Sequence, residues 1–159
     1  MYLVKFNAMF QPIQIGPMTV KNRFVVPPMG NNFANTDGTM SDQSVAYYAT
    51  RAKGQFGLIT IEATVVHKGA KGGPRKPCLY DDSTIDSFKK VIDACHAEGA
   101  KVSIQLQNAG PEGNAKNAGA PIKAATSIQS ADGRDIPKEV TTEEVYELIK
   151  GYGLAAERA

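Results

Sequence analysis

Strand and helix patterns alternate along this chain, and the length of each connection depends on its direction. Runs of β-branched and aromatic residues predict strands over 23–26, 57–63 and 101–106. Apolar residues at helical spacing predict three helices, which begin near Ser41, near Ser83 or Thr84, and at Thr141. The first two of these helices are expected to end at Gly54 and Gly99. The helix-to-strand connections hold only a few residues, whereas the strand-to-helix connections run over about 30–40, 65–83 and 107–140. Because parallel α/β proteins bind ligands where the carboxyl ends of strands feed long loops, this pattern predicts a functional face built from the three loops.

The segment before the first strand and the third strand each carry an alternating pattern. Residues Ile13–Val20 alternate apolar and polar around Gly16-Pro17, which predicts a β-hairpin. In the third strand the apolar residues share one face, whereas Ser103 and Gln105 share the other. If helices cover the apolar face, the Gln105 amide points into the interior of the sheet or barrel. It could hold a polar ring edge there or hydrogen-bond within a polar layer of the barrel, and the sequence leaves both roles open.

Three strands do not close a barrel. A (β/α)8 barrel takes about 250 residues, and this chain has 159. An open three-stranded sheet would leave apolar edges, and residues 152–159 still read as helix. We therefore expect residues 1–159 to be the amino-terminal portion of a barrel domain, truncated before the fourth strand: a fragment, a shortened reading frame, or a subunit completed by another chain. The last helix is expected to turn its apolar residues inward: Val145, Leu148, Ile149, Tyr152, Leu154 and Ala155.

Composition excludes several classes of partner. The 18 Lys and Arg residues nearly balance the 16 Asp and Glu residues, so the net charge of +2 gives no reason to expect nucleic acid or an anionic membrane surface. Residues Met1–Phe6 lack the apolar stretch of a signal peptide, and no apolar run reaches the roughly 18–20 residues of a membrane span. Two cysteines cannot form a disulfide framework, which favours a reducing, cytoplasmic location.

The usual nucleotide and metal motifs are absent from the sequence. There is no G-x-G-x-x-G fingerprint, no Walker A motif, and no metal-ligand spacing between Cys78 and Cys95. The Gly-rich basic stretch Gly69–Lys76 is interpreted as a solvated loop, with phosphate binding by its cations as the alternative. Cys95 falls on an apolar helix stripe and is predicted to be core, whereas Cys78 is predicted to be a loop thiol. No catalytic residue and no metal site can be assigned in this chain.

Several segments, taken in order, resemble one enzyme family. Residues Lys21–Gly30 resemble the first-strand motif of the old yellow enzyme family, which includes 2,4-dienoyl-CoA reductases and related NADH:flavin oxidoreductases. Ile61–Thr64 resembles the flavin-facing end of that family's second strand, and Ile104–Gly110 resembles its Q-L-x-H-A-G-R motif. The resemblance continues through Ala125–Ile128 and the helix that starts at Thr141. Each segment alone is a weak signal, but the ordered set at family spacing covers nearly the whole chain.

The resemblance implies a fold, a cofactor and a reaction. The fold would be an incomplete (β/α)8 TIM barrel, with the first three β/α units preceded by a β-hairpin. FMN would lie across the carboxyl ends of the strands, with NADH or NADPH as reductant and a small-molecule enone or enoyl thioester as substrate. The residues that match the flavin-lining positions are Pro27, Pro28, Met29 and Gly30 by backbone, Ala63 by backbone, and Gln105 by its side-chain amide.

This sequence also departs from the family pattern. Gly30 stands where the family often has Thr or Cys, Asn108 where it has His, and Pro111 where it has Arg. The substrate-anchoring and proton-donating residues would lie beyond Ala159, as would any iron–sulfur cluster. We therefore expect part of an FMN-dependent oxidoreductase with little or no turnover alone. The alternatives are a non-catalytic half-barrel that self-associates or pairs with a complementing chain, and an independent flavodoxin-type domain.

Overall fold

A computed structural model describes residues 7–131 and 135–159, so the expectation for Met1–Phe6 lies outside the described residues. The helices are α1 (Asp42–Lys53), α2 (Ile85–His96), α3 (Ala115–Ala118) and α4 (Thr142–Arg158). The strands are β1 (Ile13–Ile15), β2 (Met18–Val20), β3 (Val25–Val26), β4 (Leu58–Val65), β5 (Lys101–Gln107), β6 (Lys123–Ala124) and β7 (Lys138–Glu139).

The central sheet has the order β3-β4-β5, and both of its strand pairs are parallel. Val26 lies opposite Ile59, and Ile61 lies opposite Ile104. All three strands therefore end at the same edge of the sheet, as the alternation of strands and helices predicted. The long connections that follow β3, β4 and β5 all leave from this edge.

Helices α1 and α2 cover one face of the sheet. Their apolar side chains pack against β4 and β5 in a core that is almost inaccessible to solvent: Tyr48 and Ala52 from α1, Phe88, Val91 and Cys95 from α2, and Ile59 and Ile61 from β4. The apolar residues of β5 pack against the same core. The predicted division of β5 into a covered apolar face and an open polar face is confirmed, and so is the prediction that Cys95 is core.

Side-chain caps satisfy first-turn N–H groups of α1 and α4. The hydroxyl of Ser41 accepts a hydrogen bond from the Ser44 N–H, and α1 ends at Gly54. At α4 the Thr141 side chain and the Glu144 side chain cap each other's backbone N–H groups, as the capping-box pattern predicted. A short 3-10 turn over Asp82–Thr84 leads into α2, so that helix begins at Ile85, slightly later than expected.

Strands β1 and β2 precede the sheet as an antiparallel pair in which Ile13 lies opposite Val20. The chain reverses at Gly16, whose φ of +54° is a conformation that glycine adopts readily.

The prediction that α4 turns its apolar residues inward is wrong for most of them. Only Ala155 is fully buried, and Leu148 is half-buried. The remaining members of the predicted set keep 38–59% of their surface exposed: Val145, Ile149, Tyr152 and Leu154. The helix contacts β5 and the loop after β4 over a small area, and Ala155 is its fully buried residue.

The long connection after β5 contains structure that the sequence did not reveal. Strands β6 and β7 pair in parallel, with Lys123 opposite Lys138, and the four-residue helix α3 lies before them. These elements are too short to show a periodic pattern, so apolar alternation could not predict them.

Candidate functional site at the strand ends

The open face of the sheet carries polar side chains. The hydroxyls of Thr60 on β4 and Ser103 on β5 are 2.9 Å apart and share a hydrogen bond. Gln105 lies one layer closer to the strand ends, is exposed, and has no hydrogen-bond partner for its amide among the described residues. The polar layer is therefore built by Thr60 and Ser103, and the Gln105 amide is free to meet a ligand.

A bulge interrupts the pairing of β4 with β5 at the level of Ala63. Ile61 pairs with Ile104 and Thr64 pairs with Leu106, so β4 holds one more residue than β5 between these pairs. Bulges bend the strand and re-aim its side chains, and they often occur beside functional sites. Ala63 is half-buried at this irregularity, one step before the fully buried Thr64.

The segment after β3 leaves backbone groups unpaired. Pro27 and Pro28 lack an N–H, and the N–H groups of Met29 and Gly30 make no hydrogen bond to another described residue. Met29 is 58% exposed, and Asn31 Nδ2 is buried without a partner in the part of the chain that the structure describes. Met29 and Gly30 are exposed, so their N–H groups are accessible to water or to a ligand.

The six residues matched to flavin positions thus lie at one end of the sheet. Met29 is three residues beyond the end of β3, Ala63 is in the last third of β4, and Gln105 is two residues from the end of β5. None of these six residues lines the two larger clefts described, of about 590 and 470 Å³; Thr39 and Ser87 are among the residues that line the first, and Val66 and Tyr80 are among those that line the second. In this chain the strand ends form an open face rather than an enclosed pocket.

A buried ion pair lies beside these residues and was missed from the sequence. Glu62 on β4 keeps only 2% of its side chain exposed, and its Oε2 is 3.1 Å from Nζ of Lys76 in the loop after β4. The N–H of Glu62 donates to the hydroxyl of Tyr48 on α1 at 2.9 Å, and burial raises the pKa of that hydroxyl to about 12. An acid in a buried strand next to a basic loop is the signal that could have predicted this pair.

The interpretation of Gly69–Lys76 as a solvated loop is wrong for Lys71, which is buried, whereas Arg75 is exposed and Lys76 is half-buried. Lys71 is 7% exposed and its ammonium donates to the Thr36 carbonyl at 2.7 Å, while Arg75 donates to the Ala34 carbonyl at 2.8 Å. These contacts join the loop after β4 to the loop after β3, so the two loops are fixed relative to each other. The same contacts use donors of Lys71 and Arg75 that the phosphate-binding alternative would need.

Neither cysteine is placed for chemistry. Cys78 lies in the loop after β4, as predicted, and is fully buried there. Burial raises the pKa of both Cys78 and Cys95 to about 11. Within 7–131 and 135–159, no group of three or more His, Cys, Asp or Glu side chains is arranged to hold a metal ion. Over the same ranges, no helix combines the length and the apolar character needed to span a membrane.

The geometry defines a parallel α/β protein with its candidate site at the carboxyl ends of the strands, and comparisons with known proteins refine that class. A probable NADH-dependent flavin oxidoreductase of Bacillus subtilis strain 168 is 33% identical over 156 residues, which make up 98% of this chain and 42% of the relative. The old yellow enzyme homologue of Zymomonas mobilis superposes with a TM-score of 0.86 at 27% identity, over 96% of this chain and 45% of that one. A 2-naphthoyl-CoA reductase solved with 2-naphthoyl-CoA superposes with a TM-score of 0.89 at 29% identity, over 95% of this chain and 25% of the reductase chain.

The sequence model of the NADH:flavin oxidoreductase / NADH oxidase family matches residues 8–159, and the chain belongs to that family. The resemblance stated from the sequence is therefore confirmed. The family uses a flavin and NAD(P)H, and the solved neighbours are old yellow enzyme barrels. The chain spans less than half the length of these relatives. Because the relatives are enzymes, the comparisons do not favour the non-catalytic half-barrel.

Proposed function

We propose that this chain supplies one side of the flavin site of an FMN-dependent NAD(P)H oxidoreductase. The observation that carries the proposal is the row of unpartnered polar groups at the open strand ends: the Gln105 amide and the N–H groups of Met29 and Gly30. They belong to two segments, the end of β5 and the stretch after β3, which lie on either side of β4. The contacts of Lys71 and Arg75 fix the loop after β4 against the loop after β3.

The residues present fit a flavin ring. An isoalloxazine is flat, with largely apolar faces and a polar edge, and backbone groups and one amide can bind it without titrating. The exposed thioether of Met29 offers apolar surface to such a ring. In this proposal the backbone of Pro27, Pro28, Met29 and Gly30 lines the ring, Ala63 contacts it by backbone, and Gln105 bonds to its pyrimidine edge.

The proposed reaction of the intact enzyme is reduction of a carbon–carbon double bond conjugated to a carbonyl. When bound, FMN would supply the hydride chemistry, with NADH or NADPH as the reductant. Small enones and enoyl thioesters are the proposed substrates. The chain's own residues bind and orient the ring, and none of them is assigned as a proton donor or as an anchor for the substrate carbonyl.

The proposed architecture is the first three β/α units of a (β/α)8 barrel. Its support is the parallel order β3-β4-β5 and the TM-score of 0.86 to a barrel of which the chain covers 45%. In that arrangement the antiparallel pair β1–β2 precedes the barrel, and the polar face with Thr60 and Ser103 becomes part of the interior. A cytoplasmic location is proposed from the two free, buried cysteines.

A titration of oxidised FMN with the purified chain, followed by flavin fluorescence, tests the proposal. We expect saturable binding of one FMN per chain. Gln105→Leu should weaken it roughly three- to tenfold, which corresponds to the loss of one or two neutral hydrogen bonds. Gln43→Leu removes an exposed amide from α1, away from the site, and should leave the affinity unchanged. Absence of saturable binding, or equal losses in the two variants, would overturn the proposal.

Turnover provides a second readout. With NADH, FMN and 2-cyclohexenone, the chain alone should give no reduction above the rate of free FMN, because a missing oxyanion-type donor alone typically costs about 10²–10³ in rate. Robust turnover by this chain would contradict the assignment of the acid–base groups to a region outside it.

A further inference from the structure

The buried pair of Glu62 and Lys76 lies at the proposed flavin site. Glu62 immediately precedes Ala63 on β4, and its carboxylate holds the Lys76 ammonium at 3.1 Å. The Lys76 side chain is 22% exposed, so it is only partly accessible to water. A lysine that is largely removed from water and held by one partner is costly to keep unless its remaining donors are used.

Gly30 makes the room for this ammonium. A Cβ built on Gly30 would lie 2.7 Å from Lys76 Nζ and 3.6 Å from Glu62 Oε2, and the first distance is too short for any real side chain. Alanine or anything larger at position 30 would therefore displace the ammonium. The backbone of Gly30 is not in a left-handed conformation, so the close approach of Lys76 is what the structure offers as a reason for glycine here.

The ammonium has donors left over. A lysine ammonium carries three N–H donors, and among the described residues the carboxylate of Glu62 is the only group that accepts from Lys76. The ammonium lies close to Gly30, a residue that this proposal places against the ring. An isoalloxazine edge carries carbonyl oxygens and ring nitrogens that accept hydrogen bonds, so it matches this group of donors.

Charge adds a preference between the two redox states of the ring. Reduction makes the ring electron-rich, and a nearby cation in a partly desolvated site stabilises the added negative charge. The Glu62 carboxylate partly offsets the charge of Lys76, but its Oε2 is farther from the Gly30 position than Nζ is. The ammonium is therefore the nearer of the two charges to Gly30.

We propose that Lys76, held by Glu62 and admitted by Gly30, is a further flavin-binding residue that donates to the ring edge and binds reduced FMN more tightly than oxidised FMN. This inference rests on the proposed function. It adds a charged contact to a proposed site that otherwise consists of backbone groups and one neutral amide.

The test measures the dissociation constants of oxidised FMN and of dithionite-reduced FMN under anaerobic conditions, for the unaltered chain and for Lys76→Met. We expect the substitution to weaken reduced FMN about tenfold more than oxidised FMN, equivalent to a potential lower by about 30 mV for this two-electron couple. Lys68→Met is the matched control, because Lys68 is an exposed lysine of the same loop. It should leave the ratio of the two constants unchanged.

Gly30→Ala provides an independent variant. It keeps the lysine but places a methyl group where the ammonium lies. It should therefore also weaken the binding of reduced FMN more than that of oxidised FMN. A thermal melt followed by circular dichroism shows whether Lys76→Met folds. If it does not fold, Gly30→Ala replaces it as the test variant. Saturable FMN binding with a ratio that neither variant changes overturns the role of Lys76 alone. No FMN binding by the unaltered chain overturns the proposed function and this inference with it.

Discussion

The two faces of the central sheet use the same strands for different purposes. On β4, Ile59 and Ile61 are completely buried against α1 and α2, whereas Thr60, between them, reaches across the opposite face to Ser103. The covered face is apolar and closely packed. The open face carries hydroxyls, an unpartnered amide and one ion pair. Stability is thus concentrated on one side of the sheet, and the other side is left free to bind a ligand.

The largest effect should come from cutting a side chain on the covered face. Ile61→Ala removes buried methyl and methylene groups from the core and should lower the free energy of unfolding by about 2–5 kcal/mol. Gln105→Ala changes the open face of the neighbouring strand and should stay within about 0.5 kcal/mol. Urea unfolding followed by circular dichroism measures both. Equal losses of unfolding free energy in the two variants would contradict the claim that the covered face contributes most of the stability.

The ion pair is the exception on the open face, and it should show an intermediate effect. Glu62→Gln leaves the Lys76 ammonium without its carboxylate and should cost about 1–3 kcal/mol; a fully enclosed pair would cost more. Asp93→Asn is the control, because it breaks the exposed Lys89–Asp93 pair of α2 and should cost no more than about 0.5 kcal/mol. If urea unfolding gives the same value for both, the Glu62 pair contributes no more than a surface pair.

Helix α4 lacks a broad buried face, so its start should matter to its stability. Thr141→Ala removes one half of the capping box and should cost about 1 kcal/mol. Thr142→Ala changes the next, exposed residue, which makes no described side-chain hydrogen bond, and should have little effect. The change in amide hydrogen exchange over residues 142–150 reports this directly. Identical exchange in the two variants would show that packing, rather than the cap, holds α4.

The smallest effect concerns acid. Hydrogen bonds from the Lys123 ammonium and the Thr141 N–H lower the pKa of the Glu144 carboxyl from 4.5 to about 2. A carboxyl with a lowered folded pKa stabilises the fold above its ordinary pKa, and this contribution is lost as the pH falls from about 4.5 towards 2. Glu144→Gln should therefore flatten the pH dependence of the melting temperature in that interval. If the melting temperature of the variant changes with pH as that of the unaltered chain does over the whole interval, the prediction is contradicted.

The sequence predicted what periodicity and caps encode. The parallel order of the strands, the cap at Ser41, the capping box at Thr141 and the open side of β5 all follow from local patterns and are present in the structure. Contacts between distant segments were not predictable in this way. The pairing of Glu62 with Lys76 depends on how the loop after β4 folds back on its own strand, which no local spacing records.

The last helix shows a different limit. Its apolar stripe predicted the helix correctly but predicted the burial of its apolar residues wrongly. Periodicity identifies an apolar face but does not show whether another part of the protein covers it. Ile149 is 59% exposed although it lies on that stripe. For the candidate site, the family motifs indicated Met29, Ala63 and Gln105, and the structure brings their three segments to one edge. The ammonium beside Gly30 became visible only in three dimensions.

Backbone amide NMR of the isotope-labelled chain during an FMN titration tests the central claim most directly. The account predicts that shifts change in a saturable manner at Met29, Gly30, Ala63 and Gln105, and that those of α1 and α2 on the covered face stay in place. Shifts confined to the helices, or scattered without saturation, would contradict the claim that the strand ends of this sheet bind the flavin.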